Sequence, residues 1–276
     1  MTGRSGETGV DPKRQVHDFW NQASCGEDLL LSATDREGYR AQSEERYRLE
    51  PFIPPFADFP SARGRRVLEI GVGLGADHQR FAESGALLSG IDLTERAVEH
   101  TQRRLALFGL SSELAVGDAE RLAFEDKTFD IVYSWGVLHH SPDTPRAVSE
   151  VHRVLKPGGK ALIMVYHKWS MVGAMLWIRY ALLSGRPWRG LRSIYAEHLE
   201  SPGTKAYSYV EARDIFSCFA SVLISTPLSH GDLLDSEAGQ RHRGIALRVA
   251  KLIWPRWLIR RIFPRAGLFM LIEAVK

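Results

Sequence analysis

Cysteine is nearly absent: Cys25 and Cys218 are the only two in 276 residues, far apart and outside any C-x-x-C pair. This argues against a disulfide framework and favours a reducing, cytoplasmic setting. The ten histidines show no ligand spacing, so no metal site is expected. Long apolar runs are missing too. The most apolar window, 171–183, is interrupted by Arg179 and falls short of the ~20 residues a transmembrane helix requires. There is no internal repeat and no low-complexity linker. Residues 1–13 are polar and glycine-rich without an apolar stretch, which predicts a disordered tail rather than a signal peptide.

Hydrophobic residues make up 44% of the chain and charged residues 25%, enough for one core across 14–276. The net charge of +3 is unevenly spread: residues 240–276 hold nine basic side chains against Glu273 alone. The remainder is net acidic, and a nucleic-acid partner, which calls for a broad basic face, is not expected. The basic segment also carries Trp254, Trp257 and Phe263, which allows peripheral contact with a membrane. Pro255 and Pro264 interrupt any long amphipathic helix there, so arginines reaching out from a packed helix are the preferred reading.

From Arg65 to His167, short apolar runs alternate with amphipathic stretches, as in a parallel sheet covered by helices. Strands are predicted at 67–70, 87–92, 112–116, 129–134 and 160–166. Val98, Thr101, Leu105 and Phe108 recur at helical spacing after the second strand. Pro145 suits a first helical turn, and Ala147, Val148, Val151, Val154 and Leu155 form one stripe that ends at Lys156-Pro157-Gly158-Gly159. Residues 168–207 then read as an insertion rich in Trp, Arg and Pro. A helix at 209–219, a strand at 222–227 and a last strand at 268–275 complete seven strands. Residues 17–55 read as helical and mixed segments outside the sheet.

The first strand runs into Gly71-Val72-Gly73-Leu74-Gly75, where glycines allow positive φ and close approach of a ligand. Gly71, Gly73 and Ala76 also satisfy the dinucleotide pattern, so a nicotinamide-dependent oxidoreductase stays open at this point. Asp92 ends the second strand, where a carboxylate can accept hydrogen bonds from ribose hydroxyls in either class of cofactor. Glu69, Gly117-Asp118-Ala119 and the loop after the fourth strand separate the two. Val67-Leu68-Glu69-Ile70-Gly71-Val72-Gly73-Leu74-Gly75, Gly90-Ile91-Asp92 and Gly117-Asp118-Ala119-Glu120-Arg121-Leu122-Ala123-Phe124 together resemble class I S-adenosylmethionine-dependent methyltransferases. Phe129-Asp130-Ile131-Val132, Val137-Leu138-His139-His140 and Leu155-Lys156-Pro157-Gly158-Gly159 extend the resemblance over 65–166.

The resemblance implies an α/β fold, Rossmann-like, with a seven-stranded mostly parallel sheet, helices on both faces and an antiparallel last strand. Lid segments would lie at the N-terminus and after the fifth strand. Residues 65–167 would bind S-adenosylmethionine, leaving S-adenosylhomocysteine as product. Gly71, Gly73 and Gly75 would cradle its methionine part and Glu69 its ammonium. Asp92 would take the ribose with Leu93 beside the adenine, and Asp118 and Ala119 the adenine edge. Ser134 and Trp135 would sit near the sulfonium.

Methyl transfer needs mainly alignment and exclusion of water, with a base only where the acceptor must lose a proton. His139 and His140 are the candidates, since imidazole titrates near neutrality. Substrate would bind beyond the carboxyl ends of the strands, under residues 17–55 and the 168–207 lid. Trp20, Tyr166, His167, Arg179, His198 and Lys205 are the candidate contacts, and lid aromatics such as Trp169, Trp177, Tyr180, Trp188 and Tyr195 line a pocket or form the lid's own core. The expected reaction is methylation of a small molecule, at oxygen ahead of carbon or nitrogen, with a quinone- or lipid-like amphipathic acceptor as the alternative. Nothing in the chain fixes the oligomeric state.

Overall fold

The computed structural model describes residues 11–235 and 254–276. Residues 1–10 of the expected tail, and 240–253 of the basic segment, lie outside them. Seven strands form one sheet: β1 (Arg66–Ile70), β2 (Leu87–Asp92), β3 (Glu113–Val116), β4 (Phe129–Trp135), β5 (Leu155–Tyr166), β6 (Ser221–Ser225) and β7 (Phe269–Val275). Their order is β3-β2-β1-β4-β5-β7-β6. The first five are parallel, and β7 runs antiparallel to both β5 and β6. The order reverses between β1 and β4, and in such sheets the crevice beyond the strand ends at that point takes the ligand.

Before β1 come α1 (Pro12–Gln22), α2 (Glu27–Leu30), α3 (Arg36–Leu49) and α4 (Ile53–Ala57). The tail expected to run to Lys13 therefore stops earlier. Asp11 caps α1 by accepting from the Lys13 amide, Pro12 needs no amide partner in the first turn, and Lys13 itself is tied down. Between strands lie α5 (Ala76–Glu83), α6 (Glu95–Phe108) and α7 (Thr144–Val154). Asp143 caps α7, and its apolar stripe of Ala147, Val148, Val151 and Val154 is fully buried against Leu68, Val132 and Ile163. Each of the valines stabilises the sheet by roughly 1.5–3 kcal/mol. The opposite face carries α4, the 3-10 turn Phe59–Ala62 and α5, which bury Ile53, Phe59 and Phe81 on Val67, Ile131 and Tyr133.

One boundary differs from expectation. Leu155 already pairs with Phe129, so β5 starts before the Pro-Gly-Gly run instead of after it. The run forms an irregularity within the strand, with Gly158 at φ +75°, before pairing resumes at Lys160.

After β5 the chain forms α8 (Met171–Trp177), a π-helical turn (Ile178–Leu182) and α9 (Leu191–His198), then α10 (Tyr209–Ile215) and α11 (His230–Leu233). The last helix, α12 (Arg256–Ile262), precedes β7. The 168–207 segment has its own core. Leu176, Ala181, Ile194 and Tyr195 pack on Met164, Tyr166 and Phe269, so it roofs the carboxyl ends of β4 and β5. Among the described residues no helix is long and apolar enough to cross a membrane.

Candidate active site

The turn after β1 is built on left-handed backbone: Gly71, Gly73 and Gly75 have φ of +84°, +52° and +73°. A Cβ on Gly71 would lie 2.0 Å from a Val137 methyl, and one on Gly75 would press on Thr101. At Gly73 nothing stands within 4 Å, because that position faces an open cavity of about 760 Å³.

Glu69, Asp92 and Asp118 are among the carboxylates that line that cavity. Asp92 accepts from the Gly73 amide (3.2 Å) through one oxygen, and from the Thr94 amide and hydroxyl (3.0 and 2.9 Å) through the other. Burial pushes its pKa up, against those hydrogen bonds. Glu69 is buried against His78 (2.8 Å), and burial next to Asp77 holds its carboxyl well above the usual range. The same burial pushes the His78 imidazole down to about 3. Asp118 lines the cavity with Ala119 and Leu93, and one of its oxygens accepts from Lys13 Nζ (2.7 Å), which also reaches Glu120 (2.6 Å). Despite partial burial, these bonds hold the Lys13 ammonium above its usual range.

A second layer of polar groups surrounds the turn, and no local pattern in the chain announces it. Asp77, at the start of α5, accepts from Arg46 (2.7 Å), Tyr47 (2.9 Å) and Tyr133 (2.9 Å). Arg46 also approaches Glu50 at 3.6 Å. Glu50 and Asp77 line the cavity, and burial pushes Glu50 up to about 7 although Arg46 pulls it down. A glutamate in the unfolded chain titrates near ~4.3, so folding retains a proton there. The Glu50 contribution to stability of the cofactor-free protein is therefore expected to fall as pH rises from about 4 to about 7 and to be constant above. The difference in melting temperature between the protein and Glu50→Gln should change across that interval, and a difference independent of pH would show that Glu50 is solvated.

Trp135 also lines the cavity and packs among Phe52, Phe56 and Phe269. His140 is a further lining residue. Its Nδ1 meets Ser201 Oγ (2.8 Å) and Thr204 Oγ1 (3.2 Å), and its Nε2 stands 3.4 Å from Glu200. Thr204 already donates its hydroxyl hydrogen to the Ser201 carbonyl (2.7 Å), so it faces His140 as an acceptor. Ser201 can donate to Nδ1 or accept from it, so this side is satisfied in either tautomer, while Nε2 faces the Glu200 carboxylate. Tyr166 bonds to Glu200 from the other side. Cys25 is exposed and lines the cavity, and its surroundings push the thiol up to about 12 by desolvation.

Several expected contacts sit elsewhere. His139 is fully buried behind His140 and Tyr166, with both ring nitrogens unpartnered and its pKa well below the usual value through burial. Ser134 donates to the Ile70 carbonyl, joining β4 to β1 rather than facing ligand. His167 is turned to the Gly267 carbonyl, His198 stacks on Tyr180, and Lys205 holds the carbonyls of Ser141 and Pro142. Trp20, Tyr166 and Arg179 do line the cavity. Of the named lid aromatics none lines it: Tyr195 is core, Trp177 bonds to Arg189, and Trp169 and Trp188 are exposed. Aliphatic side chains do so instead, among them Val172, Leu176, Ile178, Leu183 and Leu199. Nor did linear spacing foresee that His139, His140 and Glu200 come together, with ligand-type atoms within 4.8 Å of one another.

The cavity suits S-adenosylmethionine by the chemistry of its wall. The ligand's ammonium, ribose diol and adenine amine are all donors, and Glu69, Asp92 and Asp118 offer three acceptors around a turn with no Cβ in the way. Residues 68–163 match the family model described as a methyltransferase domain. Residues 68–163 are thus similar to a methyltransferase domain, which favours methyl transfer over the nicotinamide alternative. Phosphoethanolamine N-methyltransferase 2 of Caenorhabditis elegans is 38% identical to the chain over 118 residues, 42% of this chain and 26% of that protein. Phosphatidylethanolamine N-methyltransferase of Cereibacter sphaeroides is 36% identical over 106 residues, 38% of this chain and 52% of that protein. The chain thus spans between a quarter and about half the length of these relatives. Magnesium protoporphyrin IX methyltransferase from Synechocystis PCC 6803, solved with bound S-adenosylmethionine, shares the fold of the methyltransferase domain and its flanks. It has a TM-score of 0.56 at 14% identity, covering 98% of this chain and all of that one.

Proposed function

We propose that the protein methylates an amphipathic small molecule whose reactive end loses a proton, with a hydroxyl favoured over nitrogen or carbon. One observation carries this reading: a single cavity joins the glycine turn, the His140–Glu200 pair and an aliphatic compartment. S-adenosylmethionine, when bound, supplies an activated methyl group on a sulfonium. Glu69 would hold its ammonium, Asp92 the ribose hydroxyls, and Asp118 with the Ala119 backbone the adenine edge, while Leu93 and Trp135 close the apolar sides. The chain's own work is alignment and drying of the site, which supplies roughly 7–11 kcal/mol in such reactions.

The His140–Glu200 pair would take up the acceptor's proton. Ser201 and Thr204 fix the imidazole, and the carboxylate at 3.4 Å stabilises the imidazolium once it forms. Leu30, Leu49, Leu176, Leu183 and Leu199 would hold an alkyl or polycyclic body. A relative named for phosphatidylethanolamine, a lipid, supports an amphipathic acceptor.

Incubation with isotopically labelled S-adenosylmethionine and a lipid extract should place label in amphipathic products. Label confined to water-soluble acceptors would overturn the acceptor class. Separately, Asp92→Ala is expected to weaken S-adenosylhomocysteine binding at least tenfold by calorimetry, because a charged bidentate acceptor is lost and the Gly73 amide loses its partner. Unchanged affinity would remove Asp92 from the cofactor site.

A further inference from the structure

Two stretches of this chain contain no acidic residue at all. Residues 168–193 carry Lys168, Arg179, Arg186, Arg189 and Arg192, and residues 254–268 carry Arg256, Arg260, Arg261 and Arg265. The fold brings the two together. The Met171 amide bonds to the Ala266 carbonyl (2.8 Å), and Ile178, Leu183 and Trp254 line the same mouth of the cavity.

On these two stretches, large apolar side chains point outward. Leu183, Trp188 and Trp257 are 77%, 80% and 72% exposed, and Trp169, Ile262 and Phe263 on the same stretches are exposed too. Elsewhere, exposed Leu87, Val116, Val210 and Leu223 stand singly on separate elements, as on any surface. On the two stretches, the outward apolar groups are interspersed with exposed Arg186, Arg192, Arg261 and Arg265. Tryptophan and leucine among arginines is the composition that settles at the head-group level of an anionic bilayer. The apolar rim also continues inward into the aliphatic compartment, so a lipid-like molecule would pass from bilayer to site without crossing water.

We propose that this rim docks on anionic phospholipid membranes and admits the acceptor from the bilayer. The inference rests on the amphipathic reading of the acceptor, but its test does not depend on turnover. The full chain is sedimented with vesicles of phosphatidylcholine alone, or with about one-third phosphatidylglycerol. Binding is expected at least tenfold tighter to the second, and weakened by salt. Arg261→Ala with Arg265→Ala should weaken it about 25-fold, from about 1 kcal/mol per arginine near such a surface. Trp188→Ser with Trp257→Ser should also weaken it, while the melting temperature of these exposed variants stays unchanged. No vesicle binding, or equal binding to both compositions, overturns the proposal. So does a dimer, seen by sedimentation, that the tryptophan variants dissociate while vesicles remain unbound. Methyl transfer to a detergent-dispersed amphipath without vesicle binding would sink the docking surface alone. Vesicle binding with label only in water-soluble products would sink the acceptor reading alone.

Discussion

His140→Ala is expected to lower turnover by about 10²–10⁴-fold, the range a positioned acid–base group contributes, while S-adenosylhomocysteine affinity stays within about twofold. The split follows from its partners, which are Ser201, Thr204 and Glu200 and not Glu69, Asp92 or Asp118. Glu200→Gln should lower turnover in the same manner, since it leaves the imidazolium without its counter-charge, and the two losses should not add, because the pair acts as one unit. Steady-state kinetics of the two single variants and the double variant read all three numbers. Retention of turnover in both single variants would exclude the pair as proton acceptor. His139→Ala differs: its ring is walled in, and the expected damage is to packing, visible as a lower melting temperature.

Arg104→Met is expected to cost about 3–5 kcal/mol of stability, a large share of the 5–15 kcal/mol typical of a domain. Arg104 is fully buried, and burial pulls its guanidinium down to about 10. It donates to Gln79 (2.7 Å), Gln42 (2.8 Å), the Leu74 carbonyl (2.9 Å) and the Tyr39 carbonyl (2.8 Å), with Ser43 as a further partner. Methionine fills the space yet leaves those acceptors buried and unpaired, and each costs about 1–3 kcal/mol unless it turns to another donor. Because Leu74 belongs to the glycine turn and Gln42 to α3, cofactor affinity should fall with stability. Denaturant midpoints and calorimetry on the same variant test both. A change below about 1 kcal/mol would mean that water replaces the guanidinium.

What could be read from the chain was what is local in it. Strand β1, the glycine turn, the acid at the end of β2 and the apolar stripe of α7 each declare themselves within ten residues or so. Asp77, Glu200 and Arg104 were not legible, because their partners lie tens of residues away, and Glu50 looked like one more charge on a solvated helix end. Helix α3 reads as a charged surface helix, yet Tyr39, Gln42 and Leu49 on one side are buried. One signal was available: Arg104 follows Thr101 by three residues and so falls on the apolar face of α6, where a charge must find partners. The choice between His139 and His140 could not be made from adjacency. The turn that points one to the cavity and the other into the core depends on Ser201 and Thr204, some sixty residues later.

The placement of β7 has a consequence for how the molecule is made. It lies between β5 and β6, so β6 has no sheet neighbour until residues 269–275 exist. On a ribosome, the parallel half could assemble early, with the β5 edge bare and β6 waiting. During that interval the nascent protein offers an open strand edge to any passing chain. Loss of strand β7 would make that vulnerable state permanent.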